Sequence, residues 1–285
     1  MTTTGFDLHQ PARLTTSVVF SSPHSGRDYP VDFLDQTVLN AHQIRSSEDA
    51  FIDRLFLCAV DCGAPLLAAR VPRAYVDLNR GADELDPSVV EGIRRSGHNP
   101  RVASGLGVIP RVVANGRAIY RGKLPLAEAQ ARLARHWVPY HAALQGQIDQ
   151  AHQMFGEAIL VDCHSMPREA VDCVVRTGAR RPDVVLGDRF GASASSIVVD
   201  EIEAILTRAG LSVVRNAPFA GAFVTQHYGR PSRRQHAVQL EIDRSLYMDE
   251  RTITPRPDFA AFRHIIQQVV AELTEIGRAL PLAAE

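Results

Sequence analysis

Three short apolar runs constrain this chain more than any other feature: residues 18–20, 159–161 and 237–240. Each is mostly Val, Ile, Leu, Ala or Phe, without the polar alternation of a half-buried strand. Each then breaks into polar residues, as Ser-Ser-Pro-His-Ser-Gly, Asp-Cys-His-Ser and Glu-Ile-Asp. Strands of this kind are buried on both faces, as central strands of a mostly parallel sheet are. The segments between them alternate between strand-like and helical patterns, which predicts an α/β fold: a three-layer α/β/α sandwich with a mixed, mostly parallel central sheet, phosphorylase/hydrolase-like. A helix is expected over residues 46–65, capped by Ser46 or Ser47, with Glu48 and Asp49 at its positive end and Gly63 closing it. Strands are expected at 65–71, 74–80, 183–188 and 211–219. Helices are expected over 125–156, kinked or broken by Pro139, over 195–210, ended by Gly210, and over 257–280. Residues 81–123 are irregular and rich in Gly, Pro and Arg. That length suits an active-site loop or a small subdomain within one domain spanning 1–285.

Composition narrows the functional classes. The 285 residues are 45% hydrophobic and 22% charged, with a formal net charge of -1. Balanced charge gives no reason to expect a nucleic-acid partner or a membrane surface, and no stretch approaches the ~20 apolar residues of a membrane span. The first residues lack the basic and apolar regions of a signal peptide, so a cytoplasmic location is expected. Cys58, Cys62, Cys163 and Cys173 fit no structural zinc spacing and read as reduced thiols, with Cys58 and Cys62 on a buried helix face. The oligomeric state is left open.

Ligands bind outside the carboxyl ends of strands in such sheets. His24 and His164 each stand just past a buried strand and each is followed by serine, so both can project into one crevice. A single such histidine is more often structural; the repetition raises the prospect of a shared site. Asp162, two residues before His164, reads as its partner or as a turn former. Glu241 ends an otherwise apolar strand, where a carboxylate is costly to bury unless paired or given chemistry. His136, His141, His152 and His264 lie on helices at no metal spacing and read as surface or core-edge residues. A catalytic zinc takes three protein ligands and keeps one position open. Asp49 and Glu48 are candidates to complete a set with the two histidines, although both can simply serve a helix dipole. Glu241 would then be the base that takes a proton from the attacking water.

Seven stretches, "SPHSGRDYP", "EDAFIDRLF", "AYVDLNR", "WVPYH", "LVDCHSMP", "FAGAFVTQHYG" and "AVQLEI", resemble the N-formylglutamate amidohydrolase family, in the family's order and over about residues 18 to 245. That family is similar in turn to the zinc carboxypeptidases and aspartoacylase-type deacylases. The resemblance implies a metal-dependent amidohydrolase with one zinc per chain, acting on a small-molecule substrate in histidine degradation. It makes His24 and His164 zinc ligands, Glu241 the general base and proton shuttle, and Asn79 and Arg80 the pair that grips a substrate carboxylate. The carboxypeptidase group has a glutamate three residues after its first histidine, where this chain has Arg27. The third ligand therefore comes from "EDAFID", as Asp49, with Glu48 the alternative.

Arg70 and Arg73 are candidates for stabilising an oxyanion or holding a carboxylate, Arg73 as a catalytic residue. Arg80 suits a carboxylate better, since a planar guanidinium pairs bidentately. N-formylglutamate carries two carboxylates, and Thr225 with His227 can supply the second contact, between Gly221 and Gly229. Ser25, Gly26 and Ser165 read as turn and supporting residues, and no G-x-S-x-G elbow is present. Three functions follow in order: hydrolysis of N-formylglutamate, zinc hydrolysis of another N-acyl amino acid or short peptide, and a non-catalytic binding module on the same fold.

Overall fold

The computed structural model of the chain describes residues 5–94, 99–172 and 180–278. The chain divides into two compact units. The first comprises Met1–Asp7, Pro23–Ala50 and Ala68–Ala143; the second comprises Leu8–Ser22, Phe51–Leu67 and Leu144–Glu285.

A seven-stranded sheet is built from β1 (Phe6–His9), β2 (Val18–Ser22), β3 (Leu66–Ala69), β4 (Ala158–Met166), β5 (Val184–Gly187), β6 (Val213–Arg215) and β7 (Gln235–Asp243), in the order β1-β3-β2-β4-β7-β5-β6. β4 pairs in parallel with β2 and with β7, and β5 with β6, while β5 runs antiparallel to β7. The three apolar runs are therefore its three neighbouring central strands. β2 and β4 are buried along their whole length.

Alternation along each strand sorts the side chains. Phe20 faces the helix Ile52–Phe56, its ring 5.9 Å from that of Phe56. The C-terminal helix Phe259–Ile276 packs on the same layer. Ser21, Asp162, His164, Gln239 and Glu241 lie in matching register on the opposite face. The helix Phe223–Tyr228 packs there against β4 and β7. The result is a mixed, mostly parallel α/β layer arrangement with a polar row on one face.

The first unit has its own core, with Phe33, Ile44, Ala74, Val113 and Ile119 buried together and Tyr29, Leu39, Tyr75 and Tyr120 packed around them. The Arg132 guanidinium lies 4.0 Å from the centre of the Tyr75 ring. Among the described residues of 81–123, regular structure is limited to Pro100–Ala103 and Ala114–Gly116. Val89, Val90, Val108 and Ile109 are nevertheless fully buried, so the region is packed like a subdomain.

Three expected elements are corrected. Residues 46–65 do not form one helix. A 3-10 turn, Gln43–Ser47, gives way to extended backbone at Glu48, and the chain resumes as a helix only at Ile52. Phe51 makes the change in the left-handed region, at φ 68°, a conformation uncommon outside glycine. Ser46 and Ser47 thus lie in the turn, and Glu48 and Asp49 precede the helix. Gly63, at φ 82°, does terminate the helical turns. Residues 74–80 form turns, because the Asp77 carboxylate takes the Asn79 amide at 2.9 Å and the Asp77 amide donates to Val108. Pro139 does not break its helix: a π-turn at Leu133–Trp137 precedes it, and the helix continues over Val138–Phe155. Such a turn rearranges the backbone pairing just where proline lacks an amide hydrogen.

Cys58, Cys62 and Cys163 are free thiols, and Cys173 lies outside the described residues. Burial raises the Cys58 thiol to about 11, which leaves little reactive thiolate near neutral pH. Among the described residues, no helix is long and apolar enough to cross a membrane.

Candidate active site

His24 sits two residues beyond β2, in the turn Pro-His-Ser-Gly. That turn needs glycine at position 26, since a Cβ there would meet the Val71 carbonyl oxygen at 2.0 Å. The Asp49 amide donates to the His24 carbonyl at 3.0 Å and ties the residue after the extended Glu48 alongside. His24 Nδ1 then lies 3.4 Å from Asp49 Oδ2. On its other side, His24 Nε2 bonds Asp77 Oδ1 at 2.6 Å. A carboxylate only accepts, so Nε2 carries the hydrogen and Nδ1 carries the lone pair.

His164 repeats the device. Its Nε2 bonds Asp162 Oδ2 at 2.8 Å, and Asp162 Oδ1 accepts from the Ser21 hydroxyl at 2.6 Å. Asp162 is therefore the histidine's partner and not a turn former. His24, Asp49 and His164 are all buried, and one potential ligand atom from each lies within 4.8 Å of the others. Two imidazole nitrogens and a carboxylate oxygen are a donor set that fits a divalent transition metal. Carboxylates behind the two histidines fix ring orientation and tautomer, as metal-ligating histidines require.

Glu48 has other work. Its carboxylate accepts from Arg45 Nε at 3.0 Å and from the Tyr29 hydroxyl at 2.7 Å. In extended backbone, neighbouring side chains point to opposite sides, so Asp49 joins the histidines while Glu48 ties down the first unit's core.

Glu241 stands directly across from His164 in the β4–β7 register, on the same face. It is largely buried, and its Oε1 accepts from Gln239 Nε2 at 2.8 Å.

Asp77 is the principal residue that the sequence did not flag. It lies two positions before the Asn-Arg pair, flanked by Val76 and Leu78, and that placement was the available signal. Burial alone would raise its carboxyl, but the electrostatic pull of His24 and Arg73, the His24 hydrogen bond and Arg80 hold it well below the usual range. Arg73 donates to Asp77 Oδ2 at 2.9 Å, so this guanidinium is held on the residue that supports His24. Arg70 is bound instead by Asp28, at 2.7 Å.

Asn79 and Arg80 are buried in the same loop. Arg80 Nε donates to the Leu106 carbonyl and Nη1 to the Asn79 carbonyl. Burial, followed by other charges that include Arg101 and Arg73, lowers its pKa. The loop is held by two residues on one helix face: His141 Nε2 bonds the Leu78 carbonyl at 2.9 Å and Trp137 Nε1 donates to the Arg80 carbonyl at 2.8 Å. His141 is thus a buried support.

The two further candidates are placed differently. Thr225 is buried, and its hydroxyl donates to the Ala222 carbonyl at 3.0 Å. His227 is exposed and stacks on Phe223, with ring centres 5.0 Å apart. Gly221 and Gly229 answer local packing: a Cβ would meet Thr225 Oγ1 at 2.4 Å and Ser193 Cα at 2.5 Å respectively.

An outer carboxylate that orients a metal-binding histidine typically governs metal affinity by 10- to 100-fold. Asp77→Asn is expected to weaken metal binding by about that factor with the fold retained, measured by competition with a coloured chelator. Unchanged affinity would remove Asp77 from the support of His24.

Carboxylate-backed donors beside a carboxylate able to carry a proton, at the carboxyl edge of an α/β sheet, define a hydrolytic centre. Comparison with known proteins agrees with that class. The family model for N-formylglutamate amidohydrolase matches residues 16–248, and the chain belongs to that family. It is 34% identical over 268 residues to an N-formylglutamate deformylase of Pseudomonas aeruginosa, covering 92% of this chain and 94% of the relative. It is 32% identical over 248 residues to one of Pseudomonas putida, covering 85% and 86%. Its fold matches the crystal structure of N-formylglutamate amidohydrolase from Ralstonia eutropha JMP134 with a TM-score of 0.90, at 35% identity, over 97% of this chain and 99% of that one.

Proposed function

We propose that this chain hydrolyses N-formylglutamate to glutamate and formate, using one zinc ion held by His24, Asp49 and His164. The observation that carries the reading is the convergence of those three donor atoms, each histidine backed by a buried aspartate, in a chain of this family. Zinc held there would supply Lewis acidity, polarising a carbonyl and lowering the pKa of bound water to ~7.

The chain's own residues supply the rest. Glu241, beside His164, takes the proton of the attacking water as the water oxygen bonds to the formyl carbon. It delivers that proton to the amide nitrogen as the carbon–nitrogen bond breaks, so the amine leaves neutral. Asp77 and Asp162 keep the two histidines in the tautomer that presents Nδ1. Arg73 neutralises Asp77 and keeps it ionised in a buried place. Arg80, steadied by Trp137 through its own carbonyl, grips a substrate carboxylate with the N–H groups not spent on Leu106 and Asn79, with Asn79 beside it. His227 serves as a polar contact to the substrate, and Thr225 shapes the turn that carries it.

The test is a panel of N-formyl-, N-acetyl- and N-succinylglutamate assayed for acid release by the zinc-loaded chain. We expect kcat/KM to be highest for the formyl substrate and to fall about tenfold or more with the larger acyl groups, the scale on which pockets discriminate by size. A preference for a larger acyl group would leave the amidohydrolase standing and overturn the substrate.

A further inference from the structure

We infer that Arg189 is a carboxylate reader of the second unit, set against the segment that the sequence assigns to a substrate carboxylate; the inference rests on the N-formylglutamate reading. Arg189 lies two positions beyond β5. It shares the second unit with Gly221, Thr225 and His227. Thr225 spends its hydroxyl hydrogen on the Ala222 carbonyl, and desolvation with the Arg230 charge lowers the pKa of His227. Neither therefore brings a positive charge to this segment near neutral pH. Arg189 does. Its amide donates to the Ala220 carbonyl at 2.8 Å. A Cβ added to Gly221 would meet both Thr225 Oγ1, at 2.4 Å, and Arg189 Cγ, at 3.1 Å. The arginine stem thus lies against the turn that leads into the helix Phe223–Tyr228. That helix packs on β4 and β7, the strands of His164 and Glu241.

The turn that carries Arg189 is strained and braced. Arg189 and Phe190 are left-handed, at φ 54° and 56°, and Gly191 follows at φ 85°. Two successive non-glycine residues in that region persist only where the surroundings impose them. Asn216 does so here. Its Oδ1 accepts from the Asp188 amide at 3.1 Å and the Phe190 amide at 3.3 Å, and its Nδ2 donates to Asp188 Oδ1 at 2.5 Å. Asp188 Oδ2 takes the Gly191 amide at 3.1 Å, so the acid beside the arginine is spent inside the turn. The Arg189 side chain is half-buried, yet its guanidinium has no hydrogen bond or ion pair among the described residues. Arg45, Arg73 and Arg215 are shielded to a similar degree, and each holds a carboxylate. A partly desolvated guanidinium is stabilised by an anion, and its planar fork matches a carboxylate bidentately. One of the two carboxylates of N-formylglutamate supplies that partner. Asn216 is the positioning residue that holds the turn.

The experiment compares N-formylglutamate with its two mono-amides, N-formylglutamine and N-formylisoglutamine, in the wild-type chain and in Arg189→Gln, with zinc content measured on both. The wild type should favour the diacid over each amide by about tenfold or more, the effect of leaving a shielded charge unpaired. Arg189→Gln should keep its zinc, lose about tenfold in kcat/KM on the diacid, and lose its discrimination against one amide while keeping the other. A variant that keeps both discriminations, or that slows all three substrates equally, overturns the inference and leaves the N-formylglutamate reading standing. A wild type indifferent to both caps overturns that reading and the inference with it. Should Arg189→Gln fail to fold, Arg189→Lys keeps the charge without the fork. It should show the same single-amide change in weaker form, and wild-type kinetics in that variant would overturn the inference.

Discussion

Replacing Glu241 by glutamine is expected to lower kcat on N-formylglutamate by about 10²- to 10⁴-fold, the usual contribution of a positioned general base, with KM and metal content little changed. Glutamine matches glutamate in size, and its carbonyl oxygen can still accept the bond that Gln239 now gives to Oε1. Strand β7 and its register with β4 should therefore survive, which separates a loss of proton transfer from a loss of structure. The side chain is buried directly across from His164, so no other residue in that register position can substitute for it. Steady-state formate release with metal analysis on the same samples checks the prediction. Turnover within a fewfold of wild type would remove Glu241 from the chemistry.

The sequence exposes the parts of this site that follow from strand burial. A strand covered on both faces must be apolar, so residues 18–20, 159–161 and 237–240 identify themselves, and the polar residues that end them stand out. His24, His164 and Glu241 are legible for that reason. Asp77 is not, because its role depends on a contact with His24 across 53 positions. Reading residues 74–80 as a strand also hides the turn that aims its carboxylate. The choice between Glu48 and Asp49 is equally hidden. Adjacent acids look alike in sequence, and the deciding facts are Tyr29, Arg45 and the amide bond from Asp49 to the His24 carbonyl. Those contacts also explain why a convincing helix signal at residues 46–65 fails. The Ser-Ser-Glu-Asp pattern suits a helix start, but the segment is held extended beside His24 and Phe51 turns left-handed to leave it. Trp137 and His141 show the reverse case. Their spacing marks one helix face, yet only the fold reveals that this face clamps the Asn79–Arg80 loop.

Removing His164 should abolish the metal site. His164→Ala deletes one of three donors and leaves the Asp162 carboxylate, wholly buried, with the Ser21 hydroxyl but without the imidazole. Stability should also fall, by roughly 1–3 kcal/mol for a buried group that loses its partner. His164→Gln, which can still donate toward Asp162, guards against an unfolded result. The decisive measurement is a zinc titration of chelated protein with formate release recorded at each step. For the wild type, we predict activity that rises from near zero and breaks at about one zinc per chain, as a three-ligand catalytic site requires. For both His164 variants we predict neither stoichiometric zinc uptake nor recovery of activity. Full formate release by metal-free wild type, or tight uptake of about one zinc per chain by the His164 variants, would contradict this account.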